Sequence, residues 1–285
     1  MPKSMKPIPI PPEERAMSQY DCQKNIAFLN SFGWVGGKWE LRPQIAKFIP
    51  QDIKQYIEPF GGAAWVLFFK ERWARYEVYN DINNNLSNLF TIIKYHNDAL
   101  CQELETMIPN EALFIKLRDD YKPMTDIQKA ARFLYLLQFS FSSQQSYFAA
   151  SNKTHVTSME SMQNKIKAMS KRLANVLIIN RDYSHVINKY DTDGTFFYLD
   201  PPYYNYDKGL HSIYAEIEHS HLCNMLKNLK SRFLLSYNDD PFIRELYKDF
   251  HILPITKIHK FANTKGIPKK YNELLIANYP LEVSL

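Results

Sequence analysis

Apolar positions along this chain fall into short dense runs that end abruptly in glycine, proline or an acid. In "TFFYLDPPYYNYD", Phe196 to Leu199 has the length and aromatic content of a buried strand, and the two prolines stop it at Asp200. "QYIEPFGGAAWVLFFKERW" opens with a strand at Tyr56 and Ile57, turns at Gly61 and Gly62, and is read as continuing in a helix from Ala63 to Phe69. "YEVYNDINNNLSNLFTIIKYH" repeats the pattern, with a strand over Glu77 to Tyr79, Asp81 at its end and a helix from about Asn84. Two successive strand–helix units imply a parallel sheet.

From about Asn97 to Leu173 the periodicity turns helical, as in "AARFLYLLQF", broken by the polar aromatic loop "SFSSQQSYFAASNKTH". The alternation of strand and helix resumes in "NVLIINRDYSHVI", "TFFYLDPPYY", "RFLLSYNDDPFIRELY" and a closing "NELLIANY". Upstream, "FGWVGGKWELRPQIAKFIP" sets a glycine turn before a short amphipathic helix that ends near Pro50. The organisation expected is an α/β domain over 25–96 and 174–285, a helical lobe inserted at 97–173, and a proline-rich, partly disordered lead-in over 1–24.

Composition narrows the function classes. At 285 residues, 45% hydrophobic and 23% charged, the chain can bury a large core, and no apolar run approaches the ~20 residues that cross a bilayer. Its start lacks the apolar centre of a signal peptide, and its cysteines, Cys22, Cys101 and Cys223, are odd in number and far apart. A cytoplasmic protein without a disulfide framework or membrane span is expected. The net charge of +5 is modest, but Lys257, Lys260, Lys265, Lys269 and Lys270 lie in a block without one acid, which suits a phosphate contact surface or a solvated loop.

Several acids follow apolar strands, where an open α/β sheet binds ligands. The Gly61–Gly62 turn lacks the third glycine of a dinucleotide fingerprint and the Gly-Lys-Ser/Thr of a P-loop. It lets a ligand approach the backbone while Asp81 accepts ribose hydroxyls, or it is a packing glycine pair beside a helix cap. Asp182 in "NRDY" can accept from an adenine amino group or cap the next helix. His219, His221 and Cys223 have a spacing that does not converge on one helix face, so no metal is expected.

"DPPY" combines parts that cooperate. The exocyclic amine of a nucleobase is a poor nucleophile because its lone pair is delocalised into the ring, so methylating it demands placement and polarisation. Asp200 can accept one N–H, the Pro201 carbonyl the other, and Tyr203 offers a ring face on which a flipped base stacks.

With these motifs in order, "WVGGK", "EPFGGAA", "YNDIN", a helical lobe, "NRDY", "DPPY", "LLSYNDD", a basic hairpin and "NELLIANY", the chain from Phe32 to Tyr279 resembles the Dam-type, D12-class family of DNA adenine-N6 methyltransferases. The resemblance implies a Rossmann-like methyltransferase sheet with an inserted helical DNA-recognition lobe, S-adenosylmethionine as methyl donor, and duplex DNA as the partner whose adenine is flipped out. It assigns Asp200, Pro201, Pro202 and Tyr203 to the target adenine. Phe60, Gly61 and Gly62 go to the methionine portion of the cofactor, with Glu58 beside them, Asp81 to its ribose and Asp182 to its adenine. Trp34 and Lys38 border both pockets, and the lysine hairpin lies along the DNA. Ala64 replaces a spaced glycine of many members, and the 139–153 loop lacks their Asn-Gly and Arg pattern. Gln144, Gln145 and Asn152 can bond adenine edges, but the resemblance transfers no recognition sequence. A monomer is expected, with or without a partner restriction endonuclease. Cytosine N4 or RNA adenine as acceptor, or a non-catalytic DNA-binding relative, are the rival readings.

Overall fold

The computed structural model describes residues 32–34, 36–140, 143–149, 159–205, 218–262 and 268–282, with backbone alone at 159 and from 257 to 271. The proline-rich lead-in and Asn152 lie outside the described residues. Its strands are β1 (Gln55–Glu58), β2 (Tyr76–Asn80), β3 (Val176–Ile179), β4 (Thr195–Leu199), β5 (Arg232–Asn238), β6 (His251–Ala262) and β7 (Pro268–Ala277). They form one sheet in the order β3-β2-β1-β4-β5-β7-β6. Pairing is parallel from β3 through to β5, while β7 runs antiparallel to both β5 and β6. The chain starts at the centre, runs outward to β3 and then returns to β4. Strand order therefore reverses between β1 and β4, which opens a crevice at their carboxyl ends.

The strands alternate between two cores because successive side chains point to opposite faces. Tyr56, Tyr79, Phe196, Tyr198 and Leu234 belong to one buried cluster, and Ile57, Val78, Phe197, Leu199 and Leu235 to another. The first face is covered by α1 (Arg42–Phe48) and by the helices between β2 and β3, namely α2 (Asn84–Tyr95), α3 (Asn97–Glu105), α4 (Glu111–Asp119), α5 (Asp126–Phe139) and α6 (Met159–Leu173). Phe90, Leu104, Phe114, Leu134 and Ile166 share a cluster with the sheet residues, so among the described residues the helical segment packs into the sheet's core. The second face is covered by α7 (Tyr183–Tyr190), α8 (His219–Lys227) and α9 (Pro241–Leu246).

Local chemistry sets the helix ends. Asn83, Asn110 and Thr125 cap α2, α4 and α5 with side-chain oxygens on first-turn N–H groups, and Pro241 begins α9 behind the cap of Asp240. The last turn of α6 is tied to the sheet by Arg172, whose Nη1 and Nη2 lie 2.7 and 2.8 Å from the carboxylate of Glu77 on β2. The same guanidinium donates to the carbonyls of Lys70 and Leu67. A buried charge pair holds only when its remaining donors are satisfied, as they are here.

The helix expected over Ala63 to Phe69 does not form. Only a 3-10 turn at Leu67–Phe69 is present, because Gly62 and Ala64 take left-handed backbone angles, φ +49° and +55°, that a right-handed helix excludes. The glycine turn therefore presents backbone rather than the start of a helix to the crevice. Among the described residues no helix is long and apolar enough to cross a membrane.

Candidate active site

Four acids stand at the carboxyl ends of four adjacent parallel strands: Asp182 past β3, Asp81 past β2, Glu58 closing β1 and Asp200 past β4. At the usual separation of neighbouring strands the row spans about 14 Å. Glu58 is buried and accepts the Tyr56 hydroxyl at 2.6 Å, and burial pushes its carboxyl up to about 8. Asp81 accepts from Gly62 N at 2.8 Å and from Asn83 N at 2.7 Å, and burial pushes it up to about 6 against these bonds. It does not cap α2 itself, since Asn83 does. Asp182 caps α7, accepting Ser184 N at 2.9 Å on Oδ1.

The two glycines do different things. A Cβ on Gly61 would stand 2.2 Å from the Tyr79 ring, so this position must be glycine for the turn to close on Tyr79. Tyr79 in turn donates its hydroxyl to the Gly62 carbonyl at 2.7 Å. Ring, turn and Asp81 form one rigid unit. Beside it, Phe60 and Tyr183 pack with ring centroids 5.0 Å apart, and Trp34 edges toward Gly62.

Asp200 emerges from β4 into the crevice, and its partners come from distant parts of the chain. Lys38 Nζ lies 2.7 Å from Asp200 Oδ1, and Ser236 of β5 donates to the same oxygen at 2.9 Å. Burial raises the Asp200 carboxyl, and the ammonium of Lys38 opposes that rise. Lys38 also donates to the Gly36 carbonyl at 3.0 Å and sits 4.7 Å from the centroid of the Tyr203 ring. Pro201 is buried, Pro202 and Tyr203 half-buried. The Tyr203 hydroxyl donates to Glu273 Oε2 at 2.6 Å. Fixed acid, buried ammonium and braced ring together suit a flat ligand with an N–H edge.

A model of the D12 class N6 adenine-specific DNA methyltransferases matches residues 34–261. The chain belongs to this family. Its relatives include a type II methyltransferase, M1.LlaDCHI, of Lactococcus lactis, 27% identical over 90% of this chain and 98% of that protein. Another, the type II methyltransferase M.CviBI of Paramecium bursaria Chlorella virus NC1A, is 26% identical over 86% of this chain and 98% of its own length. A DNA adenine methylase of Haemophilus influenzae is 24% identical over 75% of this chain and 81% of its own.

In this methyltransferase the sequence-derived site residues Trp34, Lys38, Glu58, Phe60, Gly61, Gly62, Asp81, Asp182, Asp200, Pro201, Pro202 and Tyr203 lie along the carboxyl edge of the sheet. Of the lysine block, Lys257, Lys260, Lys269 and Lys270 fall on the β6–β7 hairpin, and Lys265 lies outside the described residues. Gln144 and Gln145 are half-buried in a loop of which residues 143–149 are described. That loop is held by Gln145 N on Ser140 Oγ at 3.0 Å and by Arg118 on the Ser146 carbonyl. A Cβ on Gly33 would meet Ser143 Oγ at 2.2 Å, so the loop packs beside the segment that carries Trp34 and Lys38. In sequence the two are more than a hundred residues apart. His219 and Cys223 face different partners, the Tyr237 hydroxyl and the Leu246 carbonyl, and no group of three such residues is placed to hold a metal among the described residues.

Ser236, Asn238 and Glu273 are site residues that sequence reasoning missed. Asn238 closes β5 and Glu273 precedes the apolar run of "NELLIANY", whereas Ser236 interrupts the apolar run of "LLSYN", where a polar residue is costly unless it is bonded. That interruption was the signal available.

Proposed function

We propose that this methyltransferase transfers a methyl group from S-adenosylmethionine to adenine N6 at a specific sequence in duplex DNA, with the target base flipped out of the helix. The observation that carries the reading is Asp200, held at the reversal of strand order by Lys38 and Ser236 beside the Tyr203 ring. The cofactor fits the chemistry of the acid row. Its ammonium, ribose hydroxyls and adenine amino group are all donors or cationic, and Glu58, Asp81 and Asp182 offer acceptors in sequence along one edge. S-adenosylmethionine supplies an electrophilic methyl on a sulfonium.

The chain's own residues do the rest. Tyr203 provides the stacking face for the extruded adenine. Asp200 accepts Lys38 and Ser236 on Oδ1, and its carboxylate is assigned to accept an N–H of the amine and to take up the proton the nitrogen must lose on methylation. The Pro201 carbonyl is assigned the second N–H. The Lys38 ammonium opposes the rise that burial gives the Asp200 carboxyl and so favours its ionised form. The loop around Gln144 and Gln145, within the helical 97–173 segment, reads base edges, and the β6–β7 lysines contact phosphates. The type II names of two relatives support a restriction–modification setting with a companion endonuclease. We place the enzyme in the cytoplasm, acting as a monomer.

Expression in a methylation-free bacterial host, followed by sequencing that detects modified bases, tests the reading. N6-methyladenine at one motif, lost in Asp200→Ala, is the expected result. N4-methylcytosine, or unmodified DNA, would overturn it.

A further inference from the structure

Glu273 is 8% exposed where β7 passes from the polar residues Lys269, Lys270 and Asn272 to the apolar run Leu274–Ala277, yet it is an acid. A carboxylate there must be bonded, and its partners are those of the site: the Tyr203 hydroxyl at 2.6 Å and Lys38 Nζ at 3.9 Å. Its cross-strand neighbour is Asn238, whose Nδ2 holds the Tyr204 carbonyl at 3.1 Å. One rung between β5 and β7 thus grips both tyrosines that follow the two prolines. Two residues earlier on β5, Ser236 Oγ holds Asp200 Oδ1 and the Leu199 carbonyl. The loop from Asp200 to Tyr204 is clamped from one side by three polar residues of two strands.

We propose that Glu273 is a positioning residue for methyl transfer: by accepting the Tyr203 hydroxyl it sets the angle of the ring on which the target adenine stacks, and it does so from the strand that also carries Lys269 and Lys270. The inference rests on the function proposed above. Without this bond the ring can turn about its side-chain torsions, and a base stacked on it no longer presents its amine to Asp200 at a reactive angle. Binding of the duplex, spread over many phosphates, depends little on that angle. The loss should therefore appear in turnover rather than in affinity.

The test uses the full enzyme on a duplex carrying its own motif. Tyr203→Phe and Glu273→Ala should each lower kcat roughly 10-fold or more, as expected for a lost hydrogen bond to a charged group, with KM for DNA and cofactor affinity within about threefold. The double variant should be no worse than either single one, because both remove the same bond. Glu273→Gln, whose amide oxygen still accepts from the hydroxyl, should stay within about threefold of the parent. If Glu273→Ala fails to fold, Tyr203→Phe and Glu273→Gln still decide. A Tyr203→Phe enzyme at the parent rate, a Gln variant as slow as Ala, or additive losses would overturn this assignment alone. A parent that methylates no base would overturn the functional reading as well.

Discussion

Lys38 Nζ and Asp200 Oδ1 are 2.7 Å apart, although one residue precedes the first strand of the sheet and the other follows the fourth. The Lys38 side chain is 3% exposed and that of Asp200 20%, so the pair is little screened by solvent. It joins the residue that would face the amine to the glycine turn that frames it.

Removing the cation should be visible as a shift in pH dependence. Burial raises the Asp200 carboxyl and Lys38 lowers it, so Lys38→Met should raise it further. The acid limb of kcat against pH should then move to higher pH, with part of the lost rate recovered on raising the pH. A uniformly low rate across the profile would show that Lys38 acts in some other way.

Gly61→Ala forces a methyl group to within 2.2 Å of the Tyr79 ring. Tyr79 holds the Gly62 carbonyl, and Gly62 N is bound to Asp81, so the strain should pass to Asp81, the acid proposed for the ribose. Overpacking of this kind costs about 1 to 3 kcal/mol, and cofactor affinity measured by calorimetry should fall by ~10-fold or more. DNA affinity without cofactor should change far less.

Glu58 carries a prediction about stability. Its carboxyl rises from an ordinary 4.5 to about 8 in the folded protein, so between those values the folded state holds a proton that the unfolded state has released. Stability contributed by the protonated form is full below about 4.5 and is lost as pH rises through about 8. The cofactor-free protein should therefore lose stability progressively from about pH 4.5 to about pH 8, up to about 5 kcal/mol in all and only about 1 kcal/mol of it between neutral and alkaline pH, read as a falling denaturation midpoint. Glu58→Gln, neutral throughout and still able to accept from Tyr56, should flatten that part of the pH dependence in chemical denaturation.

Lys269 and Lys270 test the hairpin. Replacing both with alanine should weaken binding to every duplex alike and reduce the salt slope by roughly one unit per lost phosphate contact. Selective loss on one sequence would assign them to base reading instead.

Much of the fold was legible in the sequence because each strand announces itself locally. Phe196 to Leu199 are apolar, Asp200 and two prolines end them, and nothing distant is needed to read a strand with an acid at its carboxyl end. The same holds for Tyr56–Ile57, for Glu77–Tyr79 and for the helical run that follows. The helix expected after Gly62 failed because apolar content alone does not show that Gly62 and Ala64 adopt left-handed angles to close the turn on Tyr79. The order of strands, and with it the row of Asp182, Asp81, Glu58 and Asp200, depends on pairing between residues far apart in the chain. So do the ion pair of Lys38 with Asp200 and the contact of Ser143 with Gly33. Which residue types end each strand could be read along the chain, since that is local backbone and side-chain chemistry. That Glu273, an acid at the head of an apolar run, meets Tyr203 depends on the fold, because β7 enters the sheet antiparallel between β5 and β6 and brings that one position opposite Asn238.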